Sequence, residues 1–134
     1  MPLRLAMPRE ELESLRREAT SSTVEVCGLL IGRRRRGLVE VVRVVRARNV
    51  EPSPTSFKVP PEDLYRAMVE AEREGLEVVG VYHSHPAPPH PSPTDLEGMA
   101  RWPVVWLIIS SLDGSARAYT LEGGLVSEVE LSPL

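Results

Sequence analysis

The sequence predicts an α/β protein in which a mixed β-sheet is flanked by helices. Short apolar runs of strand length, several of them rich in valine, recur along the chain, and amphipathic segments with helical spacing lie between them. A meander of closely spaced strands is predicted at the C-terminal end, where Asp113-Gly114 and Gly123-Gly124 mark tight turns. Strands and helices that mix along one chain in this way indicate helices packed against a sheet.

The first predicted elements are a short strand and an amphipathic helix. Residues 3–5 begin the strand, and the helix starts at residues 8–11, where acidic side chains suit the positive end of the helix dipole. Leu12, Leu15 and Ala19 fall on one face of this helix. We therefore expect the helix to pack inward through that face.

A hairpin follows the first helix. Residues 26–32 form an apolar run typical of a buried strand, and residues 38–45 form a second strand rich in valine. Polar residues 33–37 are predicted to turn the chain between them. Residues 49–56, which include two prolines, are predicted to be a loop.

The second helix is predicted to begin at Pro60-Pro61 and to end at Gly75. Its core stripe is predicted to be Leu64, Met68 and Ala71. These three residues would pack against the sheet.

The rest of the chain alternates between strands, one helix and turns. A strand with an apolar centre ends in two histidines and leads into a proline-rich loop. The predicted elements are a strand over 77–85, a loop over 86–91, a helix over 93–101, and strands over 104–110, 116–121 and 126–131.

Size and composition indicate a single domain over residues 1–134. The chain has 134 residues, of which 42% are hydrophobic and 26% charged, as is ordinary for a folded protein. Its formal net charge of −3 gives no general attraction to nucleic acid or to an anionic membrane, so neither is expected as a partner. No apolar run is long enough to cross a bilayer, and the N-terminus lacks the apolar stretch of a secretory signal. We therefore expect a cytoplasmic protein.

Two histidines, His83 and His85, lie at the end of the predicted strand 77–85. Side chains alternate faces along a strand, so the two imidazoles project to one side while Ser84 points away. They can therefore reach one metal ion, although two polar residues at a strand end are the simpler interpretation. Because Cys27 is the one cysteine, any metal must be held by histidine and carboxylate.

Asp95 can complete a set of two histidines and one carboxylate. Such a set leaves a fourth position for water, as a catalytic zinc site requires. The same segment also has the pattern of a helix start, with Ser92 as N-cap, Pro93 as the first helical residue and Asp95 as the third. From the sequence, Asp95 is either a ligand or a cap, and both interpretations stay open.

Glu25 lies just before the first buried strand, where a charged residue seldom occurs without a partner. A carboxylate that faces a water on the metal can take its proton and later give it to the leaving amine. The alternative is a solvent-facing glutamate that ends the preceding loop.

Together these residues resemble the JAMM family of metallopeptidases, also called MPN-plus domains. In that family a glutamate precedes a Cys-Gly-Leu-Leu-like strand, a His-Ser-His-Pro segment follows, and a Ser-x-x-Asp comes next. The resemblance covers nearly the whole chain. The matching pieces are Glu25 with residues 26–32, residues 83–86, residues 92–95, the loop over 49–59 and the helix segment 61–64.

The resemblance implies an MPN fold, which is cytidine-deaminase-like, and Zn²⁺ as the cofactor. It implies that His83, His85 and Asp95 are the zinc ligands. It also implies that Glu25 is the general acid and base. Ser92 would donate a hydrogen bond to the oxyanion of the tetrahedral intermediate, in competition with its role as a helix cap.

The activity implied by the resemblance is hydrolysis of peptide or isopeptide bonds at the C-terminus of ubiquitin-like small modifier proteins. One alternative is trimming of a sulfur-carrier protein, which would release cysteine or another amino acid. A non-enzymatic alternative is an MPN scaffold that binds partners, although such relatives typically lack the ligands. The expected partner of the enzyme is therefore a modifier or carrier protein.

One departure from the family pattern lies in the loop before Ser92. The family usually has seven residues between the second histidine and the serine, whereas residues 86–91 supply six, four of them proline. A loop this short and stiff leaves open whether Asp95 reaches the metal or His90 replaces it as the third ligand.

Overall fold

The computed structural model describes residues 3–49 and 59–134 and assigns seven strands and three helices to them. The N-terminal half contains β1 Arg4–Met7, α1 Arg9–Ser21, β2 Cys27–Arg35, β3 Leu38–Ala47 and α2 Pro61–Arg73. The C-terminal half contains β4 Glu77–His85, α3 Pro93–Arg101, β5 Val105–Ser110, β6 Ala116–Glu122 and β7 Leu125–Pro133. The order and type of these elements agree with the prediction.

The strands form one mixed sheet that closes on itself in the order β1-β3-β2-β4-β5-β6-β7. β1 pairs in parallel with both β3 and β7, β4 pairs in parallel with β5, and the other pairs are antiparallel. The mixed sheet is therefore confirmed. Its closure was not predicted, because the four residues of β1 must pair both with β3 in the N-terminal half and with β7 at the C-terminal end.

The sheet is covered by helices on both faces, and each face has its own hydrophobic core. α1 packs on one face through Leu12, Leu15 and Ala19, as predicted. α2 and α3 pack on the other face through residues that include Ala71 and Met99. A strand covered on both faces buries successive residues, which explains the continuous apolar runs in β2, β4 and β5.

Two details of the N-terminal half differ from the prediction. The predicted turn 33–37 is shorter, because three of its arginines continue β2 as exposed residues paired with β3. In α2 the prediction of Met68 as a core residue is wrong, since its side chain is 51% exposed. The buried positions are Ala67 and Ala71, and their small side chains let the helix approach the sheet closely.

The predicted loop 49–56 lies, apart from Asn49, outside the described residues, and so does most of the family-like segment 49–59. Within the described part of the chain, no helix is long and apolar enough to span a membrane.

A substitution at Gly28 tests the packing of β2. An added Cβ would meet the carbonyl oxygen of Val45 and the ring of Tyr82 well inside contact distance. We expect Gly28→Ala to lower the free energy of unfolding by about 1–3 kcal/mol. Urea denaturation followed by circular dichroism would measure this change, with Leu125→Ala, at a 73% exposed position, as the control that stays near wild type. An equally stable Gly28→Ala protein would contradict this packing.

Candidate active site

β4 brings the two histidines onto the face of the sheet that α3 covers. Val81 belongs to the core on that face, and His83 and His85 follow it at alternate positions. Both histidines are buried, and their ring centroids lie 5.6 Å apart. Trp106, on the neighbouring strand β5, packs edge-on against His83 with ring centroids 5.8 Å apart. The prediction that both imidazoles project to the same side of the strand is therefore confirmed.

The start of α3 brings Asp95 to the histidines. Its Oδ1 atom lies 2.8 Å from Nε2 of His83, and its Oδ2 atom lies 4.0 Å from Nε2 of His85. One ligand atom from each of the three residues lies within 4.8 Å of the other two, and all three residues are buried. The structure thus assembles the three predicted ligands into a group that could hold a metal ion.

Asp95 also caps α3. Its backbone N–H donates to Oγ of Ser92 at 3.0 Å, and its Oδ2 accepts the backbone N–H of Ser92 at 2.9 Å. The capping pattern predicted from the sequence is confirmed. The cap uses Oδ2, while Oδ1 faces His83, so the two functions that appeared to compete occupy different atoms of one carboxylate.

Glu25 reaches the same place from the start of β2. β2 runs antiparallel to β4 with Cys27 opposite His83, so the residues before β2 lie beside the end of β4. The pairing continues one step further, because Ser84 N–H donates to Val26 O and Val26 N–H donates to Ser84 Oγ, each at 3.0 Å. Glu25 is 3% exposed and is therefore not a solvent-facing loop residue.

The surroundings of the two carboxyl groups separate their pKa values. Burial, reinforced by the charge of Asp95, raises the pKa of Glu25 to about 8. Burial also acts to raise the pKa of Asp95, but hydrogen bonds with His83 and Ser92 outweigh it and lower that pKa. Burial and the neighbouring His83 lower the pKa of His85, which favours the neutral imidazole that a metal ion requires.

Glu25 and the three candidate ligands line one cavity of about 530 Å³. The cavity buries the carboxyl groups of Glu25 and Asp95. Apart from histidine, Arg101 is the one basic residue among its described lining residues, and a guanidinium nitrogen of Arg101 lies 3.7 Å from Oε2 of Glu97. Buried acidic groups are costly without a compensating cation, and a divalent ion would supply one. Imidazole and carboxylate are also ligand types that zinc accepts. The residues present therefore fit a metal ion.

His90 does not join the candidate ligands. Its side chain is exposed, and its Nδ1 atom lies 3.3 Å from the hydroxyl of Tyr119. Its backbone oxygen lies 3.2 Å from Nε2 of His85. The Tyr119 hydroxyl donates to the carbonyl oxygen of Pro89 at 2.9 Å. Tyr119 thus anchors the proline-rich loop, and the His90 imidazole faces this anchor rather than the group of three ligands.

Two supporting residues were not found from the sequence. Besides Tyr119 in β6, Asn49 contributes its side-chain Nδ2, which donates to the carbonyl oxygen of Glu25 at 3.0 Å. Tyr119 carried a weak signal, since a tyrosine in a buried strand needs a partner for its hydroxyl. No spacing rule connects Asn49 to a residue 24 positions earlier in the chain.

Comparison with known proteins identifies the family. A family model described as prokaryotic homologues of the JAB domain matches residues 8–122. The chain belongs to this family. The JAMM resemblance predicted from the sequence is thereby confirmed for the greater part of this JAB domain.

Several relatives match over nearly the full length of the JAB domain. A desampylase of Pyrococcus furiosus is 46% identical over 129 residues, which cover 95% of this chain and 89% of the relative. A probable TtuB-protein conjugate cleaving protease of Thermus thermophilus is 43% identical over 126 residues, which cover 90% of this chain and 78% of the relative. The solution structure of a protein from Desulfitobacterium hafniense matches with a TM-score of 0.84 at 27% sequence identity, and the match covers 97% of this chain and 92% of that protein. These matches confirm the predicted fold.

The raised pKa of Glu25 predicts a pH dependence of stability in the metal-free protein. Between pH 4.5 and about 8 the folded state keeps a proton that the unfolded chain has lost, so stability falls as pH rises through this window. Glu25→Gln removes this loss. We expect the variant to melt near the wild-type temperature at pH 4.5 and several degrees above it at pH 8. This shift corresponds to a gain in the free energy of unfolding on the order of a few kcal/mol.

Thermal melts of the chelator-treated proteins across this pH range would measure the effect. Glu122→Gln, the same change at an exposed strand end, is the matched control and should follow the wild type at every pH. Parallel curves for Glu25→Gln and wild type would contradict a buried, protonated Glu25.

Proposed function

We propose that this JAB domain is a zinc-dependent hydrolase that cleaves peptide or isopeptide bonds at the C-terminus of ubiquitin-like modifier proteins. The observation that carries the proposal is the convergence of a buried histidine–histidine–aspartate group with a buried glutamate in one cavity. Two relatives, a desampylase and a probable protease that cleaves TtuB-protein conjugates, support a protein conjugate as the substrate.

His83, His85 and Asp95 would hold the ion. Bound zinc would polarise the scissile carbonyl and lower the pKa of the attacking water. Asp95 is suited to this task because its hydrogen bonds keep it ionised despite burial. The neutral form of His85 favoured by its surroundings offers a lone pair at neutral pH.

Glu25 would transfer the proton. Its carboxyl group lies in the same cavity as the candidate ligands, where burial, reinforced by the charge of Asp95, raises its pKa and disfavours the carboxylate. A positive ion on the ligands would oppose this effect and favour the carboxylate, which is the form needed to accept a proton from water. Glu25 would then give that proton to the leaving nitrogen.

Ser92 would stabilise the oxyanion of the tetrahedral intermediate. Its Oγ atom accepts a hydrogen bond from the backbone of Asp95 through a lone pair. A hydroxyl that accepts in this way still has its own hydrogen to donate, so capping α3 does not prevent the second role. The cap fixes the hydroxyl at the wall of the cavity, where a donor to developing charge is effective.

A sulfur-carrier trimming activity would use the same groups and differ in its leaving amine. A non-catalytic scaffold is disfavoured, because a binding surface does not need two carboxyl groups and two imidazoles buried together in one cavity.

The zinc affinity of substituted proteins distinguishes whether Asp95 or His90 is the third zinc ligand. We expect His83→Ala and Asp95→Asn to lower zinc affinity by at least tenfold, since each removes one of three donors, and His90→Ala to bind zinc like the wild type. Asparagine keeps an oxygen for the cap of α3, so Asp95→Asn tests the ligand with little change in the helix. Zinc titration by calorimetry would measure the affinities. Unchanged zinc binding in Asp95→Asn combined with a loss in His90→Ala would reverse the assignment.

Hydrolysis tests Glu25 in the zinc-loaded protein. We expect Glu25→Gln to retain zinc and to lose at least about 100-fold in kcat, because an amide cannot transfer the proton. The measurement is release of the modifier from a modifier–lysine conjugate, with zinc content determined on the same sample. Glu122→Gln again serves as the control for the substitution itself. Turnover at the wild-type rate in Glu25→Gln would remove Glu25 from the mechanism.

A further inference from the structure

A second, smaller cavity adjoins the candidate active site. Its volume is about 100 Å³, and Glu25 and Pro86 belong to its wall as well as to the wall of the 530 Å³ cavity. Its other walls include small side chains, most of them with hydroxyl groups, from the segment before β2 and from the residue directly after β5, namely Ser22, Thr23, Val24 and Ser111. Glu25 therefore lies between two cavities of unequal size.

Local hydrogen bonds hold the walls of the second cavity in place. The Ser22 hydroxyl donates to the carbonyl oxygen of Val24 at 2.8 Å and accepts the backbone N–H of Val24 at 3.2 Å. On the opposite side, the backbone N–H of Ser111 donates to the carbonyl oxygen of His85 at 2.9 Å. The second cavity is thus built by the same strand ends that carry the candidate active site.

Amide hydrolysis needs room on both sides of the bond that breaks. The acyl side must reach the metal ligands and Ser92 in the larger cavity, whereas the amine side begins at the nitrogen that Glu25 protonates. Because Glu25 borders both cavities, an amide with its acyl chain in the larger cavity and its nitrogen at Glu25 can extend its amine side into the smaller one. We propose that the second cavity is the binding site for the leaving amine, an assignment that rests on the proposed function.

The chemistry of the second cavity selects among leaving amines. Among the described residues, its wall contains no basic side chain, and Glu25 is its acidic group. A released α-amino acid carries a carboxylate close to its nitrogen, which would lie beside Glu25 with no basic side chain in the described wall of the second cavity to pair with. The unbranched methylene chain of lysine carries no such charge and can pass along Val24 and Pro86. The second cavity therefore fits a lysine isopeptide and disfavours a C-terminal amino acid with a free carboxylate.

The reaction balances with this placement. The water oxygen bonds to the carbonyl carbon, the carbon–nitrogen bond breaks, and one water proton passes through Glu25 to the nitrogen. The second water proton moves from the new carboxylic acid to the amine, so the products are a carboxylate in the larger cavity and a lysine ammonium in the smaller one.

Three substrates with one modifier tail and different leaving amines test the assignment. The tail is joined to the side-chain nitrogen of Nα-acetyl-lysine amide, to the α-nitrogen of alanine amide, or to the α-nitrogen of alanine with a free carboxylate. The last two differ mainly in the terminal charge. We expect the zinc-loaded protein to show a kcat/KM at least tenfold lower for the alanine carboxylate than for alanine amide, and to cleave the lysine isopeptide best.

Two variants alter the second cavity. Ser111→Leu narrows it, and we expect an at least fivefold higher KM for the lysine isopeptide with zinc affinity unchanged. Thr23→Arg, at an exposed position, supplies a cation and should raise kcat/KM for the alanine carboxylate relative to alanine amide. Ser127→Leu, the same serine change on an exposed part of β7, is the control and should leave all three substrates unaffected. Binding without turnover is measured by the fluorescence anisotropy of the intact lysine conjugate. The two proteins compared are the Glu25→Gln variant and the double variant that carries both Glu25→Gln and Ser111→Leu.

The outcomes separate the two proposals. Equal kcat/KM for the two alanine substrates, with no response to either variant, would overturn the second cavity as the leaving-amine site and leave the proposed function standing. A faster reaction of the alanine carboxylate would also overturn it, in favour of C-terminal trimming. No cleavage of any substrate by the zinc-loaded protein would overturn the proposed function and this assignment with it.

Discussion

The antiparallel pairing of β2 with β4 is the contact on which the candidate site depends. It places Cys27 opposite His83, and the two hydrogen bonds between Val26 and Ser84 extend it beyond the last ladder pair. The start of one strand and the end of the other therefore meet at one end of the closed sheet. That meeting brings Glu25 into the cavity of the histidines, although 58 positions in the chain separate Val26 from Ser84.

Burial of charge is the cost of this arrangement, and it also gives the site its chemistry. Glu25 and Asp95 are nearly inaccessible to solvent and share one cavity. Hydrogen bonds to the start of α3 and to His83 keep Asp95 ionised, whereas no described residue gives Glu25 comparable compensation, and burial raises its pKa to about 8. Two carboxyl groups with such different proton affinities suit two different tasks, one as a ligand and the other as a proton carrier.

The short proline-rich loop is accommodated because its neighbours hold it from both sides. The capping box of Ser92 and Asp95 fixes the end of the loop to α3, and Tyr119 fixes Pro89 from β6. With its conformation set by these contacts, a loop of six residues still delivers Asp95 to His83. The stiffness of the loop is therefore compatible with the family arrangement of the site.

The sequence by itself determined the features that depend on local periodicity. The inward face of α1, the cap formed by Ser92, and the common orientation of His83 and His85 follow from spacings of a few residues. Closure of the sheet through β1, the exposure of Met68 and the orientation of His90 were decided only by the tertiary structure. Each of these depends on contacts between segments far apart in the chain, and no local pattern encodes such contacts.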